Sequence, residues 1–252
     1  MENLYAADQK KSFEELFRAP GALYRDTPFW AWNCKLDREQ IRRQIAAFHE
    51  MGMGGFHMHA RTGLATAYLE PEFMEMVREC VDIARRDSML AWLYDEDRWP
   101  SGAAGGIVTR EPKFRSRYLL FTPERRSEAP DAANDDSGLL LGCYAIRFDA
   151  DGCLAEYRMI EKFHLYRMIR ENWSWFNDET YVDTLNPAAI RRFVEVTHEA
   201  YAKCVGDEFG RTVPAIFTDE PQFFFKSVLK FSRERKDVIL PYTDDLPDTY
   251  RA

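Results

Sequence analysis

Hydrophobic positions in the first hundred residues follow two periods, one typical of strands and one typical of helices. A short aromatic run at 28–34 is followed by residues 36–52, where apolar side chains recur every three to five positions. The same order continues with apolar runs at 53–60 and 89–97, separated by a second helical pattern at 70–88. Strands separated by single helices pair in parallel through right-handed crossovers, so this part of the sequence predicts a β/α fold.

The pattern changes after the third predicted strand. Between about 111 and 170 polar and apolar residues alternate, which predicts an antiparallel β-rich insertion. The β/α order then resumes with a predicted strand at 179–185 and a helix that begins at Asn186-Pro187, with proline in the first helical position. A further strand is predicted at 213–217, and 238–243 is one more candidate strand.

These elements favour a (β/α)8 barrel of the TIM type that is incomplete in this chain. The barrel would use about 26–110 and 178–252 of the 252 residues, whereas a full barrel typically needs ~250 residues without insertions. A doubly wound open sheet is the alternative. Such a sheet usually carries a GxGxxG turn after its first strand, and SGAAGG at 101–106 follows the third predicted strand instead.

Composition and charge exclude some classes of function. The formal net charge of −8 argues against a nucleic-acid partner held by electrostatic attraction. No apolar run approaches the roughly 20 residues that span a bilayer, so no membrane partner is expected. The chain starts without a signal-peptide pattern and its five cysteines form no CxxC, which predicts reduced thiols and a cytoplasmic location.

The predicted strand ends carry a mixture of aromatic and polar side chains that is typical of carbohydrate sites. A β/α barrel builds its active site at the carboxyl ends of its strands, where aromatic rings could stack on sugars and polar groups could bind hydroxyls. Any one of these residues could simply be the polar end of a strand, but five such ends favour a cleft. The predicted substrate-binding residues are Trp32, Asn33, His57, His59, Arg61, Asp95, Glu96, Trp99 and Asp183.

Two adjacent acids, Asp219 and Glu220, follow the predicted strand at 213–217. Glycoside hydrolysis usually needs two carboxyl groups across the scissile bond. Alternate strand residues point to opposite faces, and Pro221 favours an extended Glu220, so we predict that Glu220 leans into the cleft as a catalytic group. Asp219 is predicted to orient or bind the substrate. A polar turn at the strand end is the alternative interpretation.

The sequence His57-Met58-His59 raises a different chemistry. HxH at a barrel strand end resembles the metal-binding start of amidohydrolases, in which neutral imidazoles hold zinc. That arrangement needs further histidines from later strands, whereas His49 and His198 lie in helical patterns and His164 lies in the insertion. Binding of substrate hydroxyls, or packing in the interior, is therefore favoured over a zinc site.

Three stretches in order carry a resemblance to a known family: PFWAWNCKLDREQIRRQIAAFHEMGMGGFHMHA at 28–60, WLYDEDRWPSGAAGG at 92–106 and IFTDEPQF at 216–223. They resemble the N-terminal catalytic region of glycoside hydrolase family 106, the α-L-rhamnosidases. The resemblance implies a (β/α)8 barrel followed by β-sandwich domains in a longer parent protein. It also implies hydrolysis with inversion by two glutamates, with calcium near the substrate hydroxyls. Glu220 sits where one catalytic glutamate could lie, and the second glutamate and the calcium ligands are not assigned.

The sequence therefore predicts a partial glycosidase barrel acting on an α-L-rhamnoside-like bond by general acid/base catalysis. A non-catalytic carbohydrate-binding fragment of a barrel is the alternative. A metal-dependent hydrolase that uses His57 and His59 is a third and less favoured interpretation. The missing barrel strands and the β-sandwich domains are expected in the parent protein.

Overall fold

The structure is a computed structural model. The chain forms two compact units. The first unit comprises Met1–Gly105 and Phe193–Glu220, and the second comprises Gly106–Arg192 and Pro221–Ala252. The residues that the structure describes are 10–128, 137–151, 154–159, 163–169, 179–223, 226–230 and 234–251.

Strands and helices alternate along the first hundred residues, as predicted. The strands are β1 Phe29–Trp32, β2 Gly55–Ala60, β3 Leu90–Tyr94, β4 Arg117–Thr122, β5 Ser127–Glu128, β6 Ser137–Phe148, β7 Leu154–Met159, β8 Phe163–Ile169, β9 Ile216–Phe217 and β10 Val238–Tyr242. The helices are α1 Phe13–Arg18, α2 Arg38–Glu50, α3 Pro71–Arg86, α4 Pro187–Val196, α5 His198–Val205 and α6 Leu246–Arg251.

Local sequence signals set the limits of these helices. The carboxylate of Asp37 accepts a hydrogen bond from the backbone N–H of Gln40 at 2.8 Å, which caps the start of α2. Gly52 follows the end of α2 with φ of +80°, the left-handed conformation that glycine adopts most readily. The Asn186 side chain accepts from the N–H of Ala188 at 3.0 Å at the start of α4, and this confirms the predicted start of that helix.

The first unit contains a parallel sheet in the order β1-β2-β3-β9. One face of this sheet is covered by helices, and the side chains between them form the main hydrophobic core. The sheet contributes Trp30, Trp32, Phe56, Met58, Ala91 and Leu93, and the helices contribute Ile41, Ile45, Phe73, Val77, Cys80, Val81, Tyr201 and Val205. Because strand residues alternate between faces, the intervening side chains lie on the other side of the sheet.

The second unit is built on a six-stranded sheet with the order β10-β4-β8-β6-β5, and β7 also pairs with β6. Strands β4, β8, β6 and β7 pair in antiparallel fashion, which confirms the prediction of an antiparallel β-rich region after the third strand. Strand β10 pairs in antiparallel fashion with β4. The candidate strand at 238–243 therefore belongs to this sheet and does not extend the parallel one.

The predicted parallel strand at 179–185 is wrong. Within this segment Val182 forms an isolated antiparallel bridge with Arg115, and the chain turns immediately afterwards. The reason is local, since Asp183 accepts the N–H of Leu185 through its side chain at 3.1 Å and the N–H of Asn186 through its carbonyl at 3.1 Å. These bonds form a turn that leads into α4, and the described parallel strands of the first unit number four.

Among the helices of the described ranges, none combines the length and the apolar character needed to cross a bilayer.

Candidate functional site

The face of the parallel sheet opposite the helices carries a row of aromatic and imidazole rings. Phe29 on β1 pairs in register with His57 on β2, and their rings lie 4.9 Å apart. Tyr94 on β3 pairs with Phe217 on β9, and the His59 imidazole stacks on Tyr94 with 3.8 Å between centroids. Phe29 also meets His59 and Phe217 edge to face, at 5.1 Å and 5.3 Å. Four adjacent strands therefore build one continuous surface of rings.

The structure places Trp32 on the wrong side of the sheet for a ligand. Its side chain is only 2% exposed and packs edge to face against Trp30 and Phe73, at 5.6 Å and 5.5 Å. Trp32 is thus part of the core beneath the helices, which corrects its assignment as a stacking platform. The exposed ring of β1 is Phe29, at 59% exposure, and its alternation with the two tryptophans was the sequence signal that could have identified it.

A cavity of about 300 Å³ opens at the carboxyl ends of these strands. Phe29, Ala31, His59, Arg61 and Asp219 line it. Three of these residues, His59, Arg61 and Asp219, were predicted site residues, and they come from β2, the loop after β2 and the segment after β9. The structure thus brings together an aromatic ring, an imidazole, a guanidinium and a carboxyl group in one depression.

The two histidines of this face favour the neutral form. Burial lowers the pKa of His59 to about 4, and the positive charge of Arg61 acts in the same direction. Burial also lowers the pKa of His57, whose Nε2 lies 3.3 Å from the Thr27 hydroxyl. A neutral imidazole offers one hydrogen-bond donor and one acceptor, which suits contact with sugar hydroxyls.

Asp219 is the carboxyl group that lines the cavity. Burial raises the pKa of Asp219, and the neighbouring charge of Glu220 raises it further, while Arg61 opposes the change. A carboxyl group that holds its proton to a higher pH is better suited to donate it to a leaving oxygen. The electrostatics therefore favour Asp219 as a proton donor, whereas the sequence argument predicted that Asp219 orients or binds the substrate.

Glu220 adopts a backbone conformation that the sequence did not predict. Its φ is +42°, in the left-handed region that non-glycine residues rarely occupy, whereas Pro221 was expected to hold it in an extended conformation. Its carboxylate accepts a hydrogen bond from Trp99 Nε1 at 3.2 Å, so two predicted site residues meet here. Strained backbone of this kind often occurs at functional sites, where the surrounding contacts hold it in place.

Asp95 is a buried acid that hydrogen-bonds to neighbouring segments of the chain, which corrects its assignment as a substrate ligand. The side chain is fully buried, and its two oxygens accept hydrogen bonds from the hydroxyls of Ser101, at 2.7 Å, and Thr218, at 2.6 Å. His198 on α5 adds a contact between its Nε2 and Asp95 Oδ2 at 3.3 Å. The sequence interpretation missed all three partners, because Ser101 lies six positions away in a loop, Thr218 lies 123 positions away, and His198 lies in a helix.

Glu96 is also buried, at 2% exposure, and it organises the glycine-rich loop that follows β3. Its two carboxyl oxygens accept hydrogen bonds from five backbone N–H groups, those of Asp97, Gly102, Ala103, Ala104 and Gly105. Burial raises the pKa of Glu96 to about 8, while the hydrogen bonds from the amides of Gly105, Asp97, Ala104 and Gly102 act in the opposite direction. The carboxyl group therefore fixes the loop from within and is not a ligand for substrate, contrary to the sequence prediction.

Asn33 and Asp183 are the remaining predicted site residues. Asn33 is exposed and directly follows β1. Asp183 belongs to the second unit, where it is 2% exposed and lies 3.9 Å from Arg117. Burial raises the pKa of Asp183, and the Arg117 charge opposes this rise. Asp183 is therefore a buried residue of the second unit.

The metal ions considered from the sequence do not match the donors present. Among the described residues, no group of three or more histidine, cysteine, aspartate or glutamate side chains could hold a metal ion. His57 and His59 lie on the same face, and the two acids that directly follow β3, Asp95 and Glu96, are engaged by protein donors. The described residues thus do not fit a zinc or calcium site.

Comparison with known proteins returned one distant structural similarity. No protein-family model matches the chain, and no curated protein matches it. The solved structure of a rhamnosidase from Novosphingobium sp. PP1Y is similar to 47% of this chain, at 19% sequence identity and a TM-score of 0.36. The match covers 12% of the rhamnosidase chain. The case for an activity therefore rests on the residues of the first unit.

Proposed function

We propose that the chain is a glycoside hydrolase that cleaves an α-L-rhamnoside-like bond with inversion, using Asp219 and Glu220 as its carboxyl groups. The observation that carries the proposal is the cavity at the strand ends, in which Asp219 lies beside Phe29, His59 and Arg61. A proton donor, an aromatic ring and neutral hydrogen-bonding groups are the components that a glycosidic substrate requires.

Each lining residue has a separate task in this proposal. The exposed ring of Phe29 provides an apolar surface for one face of a sugar. The neutral imidazole of His59 can exchange hydrogen bonds with a hydroxyl group, and the guanidinium of Arg61 can donate further ones. Arg61 also keeps the pKa of Asp219 from rising further, because its positive charge favours the carboxylate.

The reaction needs one proton delivered and one removed. Asp219 gives its proton to the leaving oxygen as the bond between that oxygen and the anomeric carbon breaks. A water molecule attacks the anomeric carbon from the opposite face and passes a proton to Glu220, whose carboxylate is oriented by Trp99. Inversion follows if the two carboxyl groups leave room for that water, at a separation of roughly 6.5–9.5 Å.

A non-catalytic carbohydrate-binding module is the second candidate. Of the four acids that the sequence placed at strand ends in the first unit, Asp95 and Glu96 are buried in internal hydrogen-bond networks. The cavity lining includes a single carboxyl group, that of Asp219. A cavity with an aromatic ring and one acid is sufficient for binding without hydrolysis.

Hydrolysis and binding assays on the 252-residue chain separate the two candidates. The chain is incubated with a panel of aryl glycosides that includes the α-L-rhamnoside, and the anomer first released is identified by NMR. Binding of the corresponding free sugars is measured by calorimetry. Release of the inverted sugar, reduced about 10²-fold or more in E220Q and retained in E50Q, supports the hydrolase. Glu50 is an exposed acid on α2 and serves as the matched control.

The other outcomes are equally informative. Sugar binding without any release of aryl alcohol supports the binding module and contradicts the hydrolase. If E220Q hydrolyses the substrate at the wild-type rate, Glu220 has no part in the mechanism. A chain that neither binds nor hydrolyses any member of the panel contradicts both candidates.

A further inference from the structure

Ser101 connects the glycine-rich loop after β3 to the acid that lines the cavity. Its backbone N–H donates to the Asp219 carbonyl at 2.9 Å, and its hydroxyl oxygen accepts from the Asp219 N–H, also at 2.9 Å. The two residues are 118 positions apart in the chain, and Ser101 is only 1% exposed. Both backbone polar groups of Asp219, its N–H and its carbonyl, are thus held by one buried residue.

Asp95 holds the Ser101 hydroxyl in the orientation that this contact requires. The hydroxyl donates to Asp95 Oδ1 at 2.7 Å, which leaves its oxygen lone pairs facing the Asp219 N–H. The other oxygen of Asp95 accepts from Thr218, the residue before Asp219, at 2.6 Å. Asp95 therefore links the chain after β3 and the chain after β9 at two successive residues.

The position of Ser101 itself is fixed by Glu96. The four residues that follow Ser101 donate their backbone N–H groups to the Glu96 carboxyl group. In this loop Gly102, Ala104 and Gly105 have positive φ angles, a sequence of conformations that directs consecutive N–H groups inward. The loop is consequently built around an internal anchor and presents Ser101 to Asp219 in a fixed place.

We propose that Ser101 is a positioning residue that orients Asp219 for proton transfer, through a buried connection that runs from Glu96 and Asp95. This inference rests on the proposed function, because it assigns Ser101 a task in delivering the proton of Asp219. General acid catalysis requires the donor to point at the leaving oxygen, and a misplacement of about 1 Å can lower the rate about 10²-fold.

The kinetic test compares S101A, S101T and T66V in the intact chain. S101A removes the hydroxyl and is expected to lower kcat about 10²-fold with little change in KM, whereas S101T keeps the hydroxyl and is expected to restore most of kcat. Thr66 provides the control, since it is 2% exposed and its hydroxyl likewise accepts a backbone N–H, that of Leu36 at 2.9 Å. T66V is expected to keep the wild-type kcat. Equal losses in S101A and T66V, or no loss in S101A, would overturn the proposal.

A second measurement tests the positioning without relying on activity. The carboxyl group of Asp219 is titrated by ¹³C NMR in each variant. In S101A the group is expected to move towards water and to titrate at a lower pH than in the wild type, with S101T and T66V close to the wild type. Identical titration midpoints in all four proteins overturn the inference about Ser101. A chain that hydrolyses no glycoside but shows the expected midpoints contradicts the proposed function and not the positioning.

S101C keeps the side-chain volume and weakens the hydrogen bonds, because a thiol is a poor donor and acceptor. It replaces S101A in both measurements if S101A does not fold. The same lower kcat and the same lower midpoint are expected, and wild-type values in S101C overturn the proposal.

Discussion

The imidazole of His59 lies flat against the ring of Tyr94, with 3.8 Å between centroids and 15° between planes. This stacking buries the imidazole, which is 4% exposed and stays neutral down to about pH 4 because burial lowers its pKa. In the unfolded chain the same group takes up a proton near its ordinary pKa of 6.5. The contribution of His59 to stability is therefore present above pH 6.5 and is lost as the pH falls towards 4.

This relationship predicts a pH-dependent difference between the wild type and H59F. Phenylalanine keeps a flat ring against Tyr94 but cannot bind a proton. The free energy of unfolding, measured with urea at pH 7 and pH 4.5, is expected to fall more in the wild type than in H59F, by roughly 1–2 kcal/mol. Parallel pH profiles of the two proteins would show that folding does not lower the pKa of His59.

Glu96 is expected to give the opposite dependence. Burial raises its pKa from 4.5 to about 8, so the folded chain holds the carboxyl proton over a range in which the unfolded chain releases it. The stability contributed by the protonated group is present below pH 4.5 and is lost as the pH rises towards 8. The unfolding free energy of the wild type relative to E96Q should thus decrease over this range, by at most about 1.4 kcal/mol per pH unit.

The measurement is a set of urea unfolding curves for both proteins between pH 5 and pH 9. If the wild type instead gains stability relative to E96Q as the pH rises, the amide hydrogen bonds lower the pKa of Glu96 more than burial raises it. E50Q, which alters an exposed acid, is the control for effects of the substitution alone.

Phe29 and Trp32 lie three positions apart on β1 and therefore on different faces, and they should respond differently to truncation. Trp32 is a core side chain, so W32A is expected to lower the free energy of unfolding by about 3–5 kcal/mol. F29A removes a largely exposed ring and is expected to weaken binding of the sugar about tenfold at a small cost in stability. Calorimetry with the sugar and urea unfolding distinguish the two variants. An unchanged sugar affinity in F29A would show that the Phe29 ring does not contact the sugar.

The glycine-rich loop should tolerate a methyl group poorly at Gly105. This residue has φ of +61°, and an added Cβ would lie 3.2 Å from Asp97 Cβ. G105A is expected to lower the free energy of unfolding by about 1–2 kcal/mol. Gly206 is the matched control, since its φ is −65° and its nearest neighbour would be Ala202 Cβ at 3.7 Å. G206A should stay within about 0.5 kcal/mol of the wild type or be slightly more stable, and an equal loss in both would contradict the role of φ.

Much of the first unit could be predicted from periodicity and capping residues. The strands at β1, β2 and β3 and the helices α2 and α3 follow from hydrophobic spacing, from Asp37 at a helix start and from Gly52 at a helix end. The pairing of β10 with β4 could not be predicted in this way. A run of apolar residues specifies a strand but not its partner, because the partner is chosen by contacts far away in the sequence.

The candidate site was predicted in part, and the residues whose roles were predicted wrongly have physical explanations. His59, Arg61 and Asp219 meet at one cavity, as their positions at strand ends indicated. Asp95 and Glu96 occupy strand-end positions too, but backbone and hydroxyl donors from the 101–105 loop turn them into internal anchors. The glycine-rich composition of that loop does not reveal this arrangement, in which the Glu96 carboxyl group gives the loop amides a common acceptor.

The most direct test of the account is hydrolysis by D219N of two aryl α-L-rhamnosides that differ in their leaving groups. If Asp219 donates the proton, D219N should cleave the nitrophenyl substrate about 10²–10⁴-fold more slowly than the wild type. The loss should be much smaller for the dinitrophenyl substrate, whose leaving oxygen needs less protonation. Wild-type rates of D219N on both substrates, or equal losses on both, would contradict the assignment of Asp219 as the general acid.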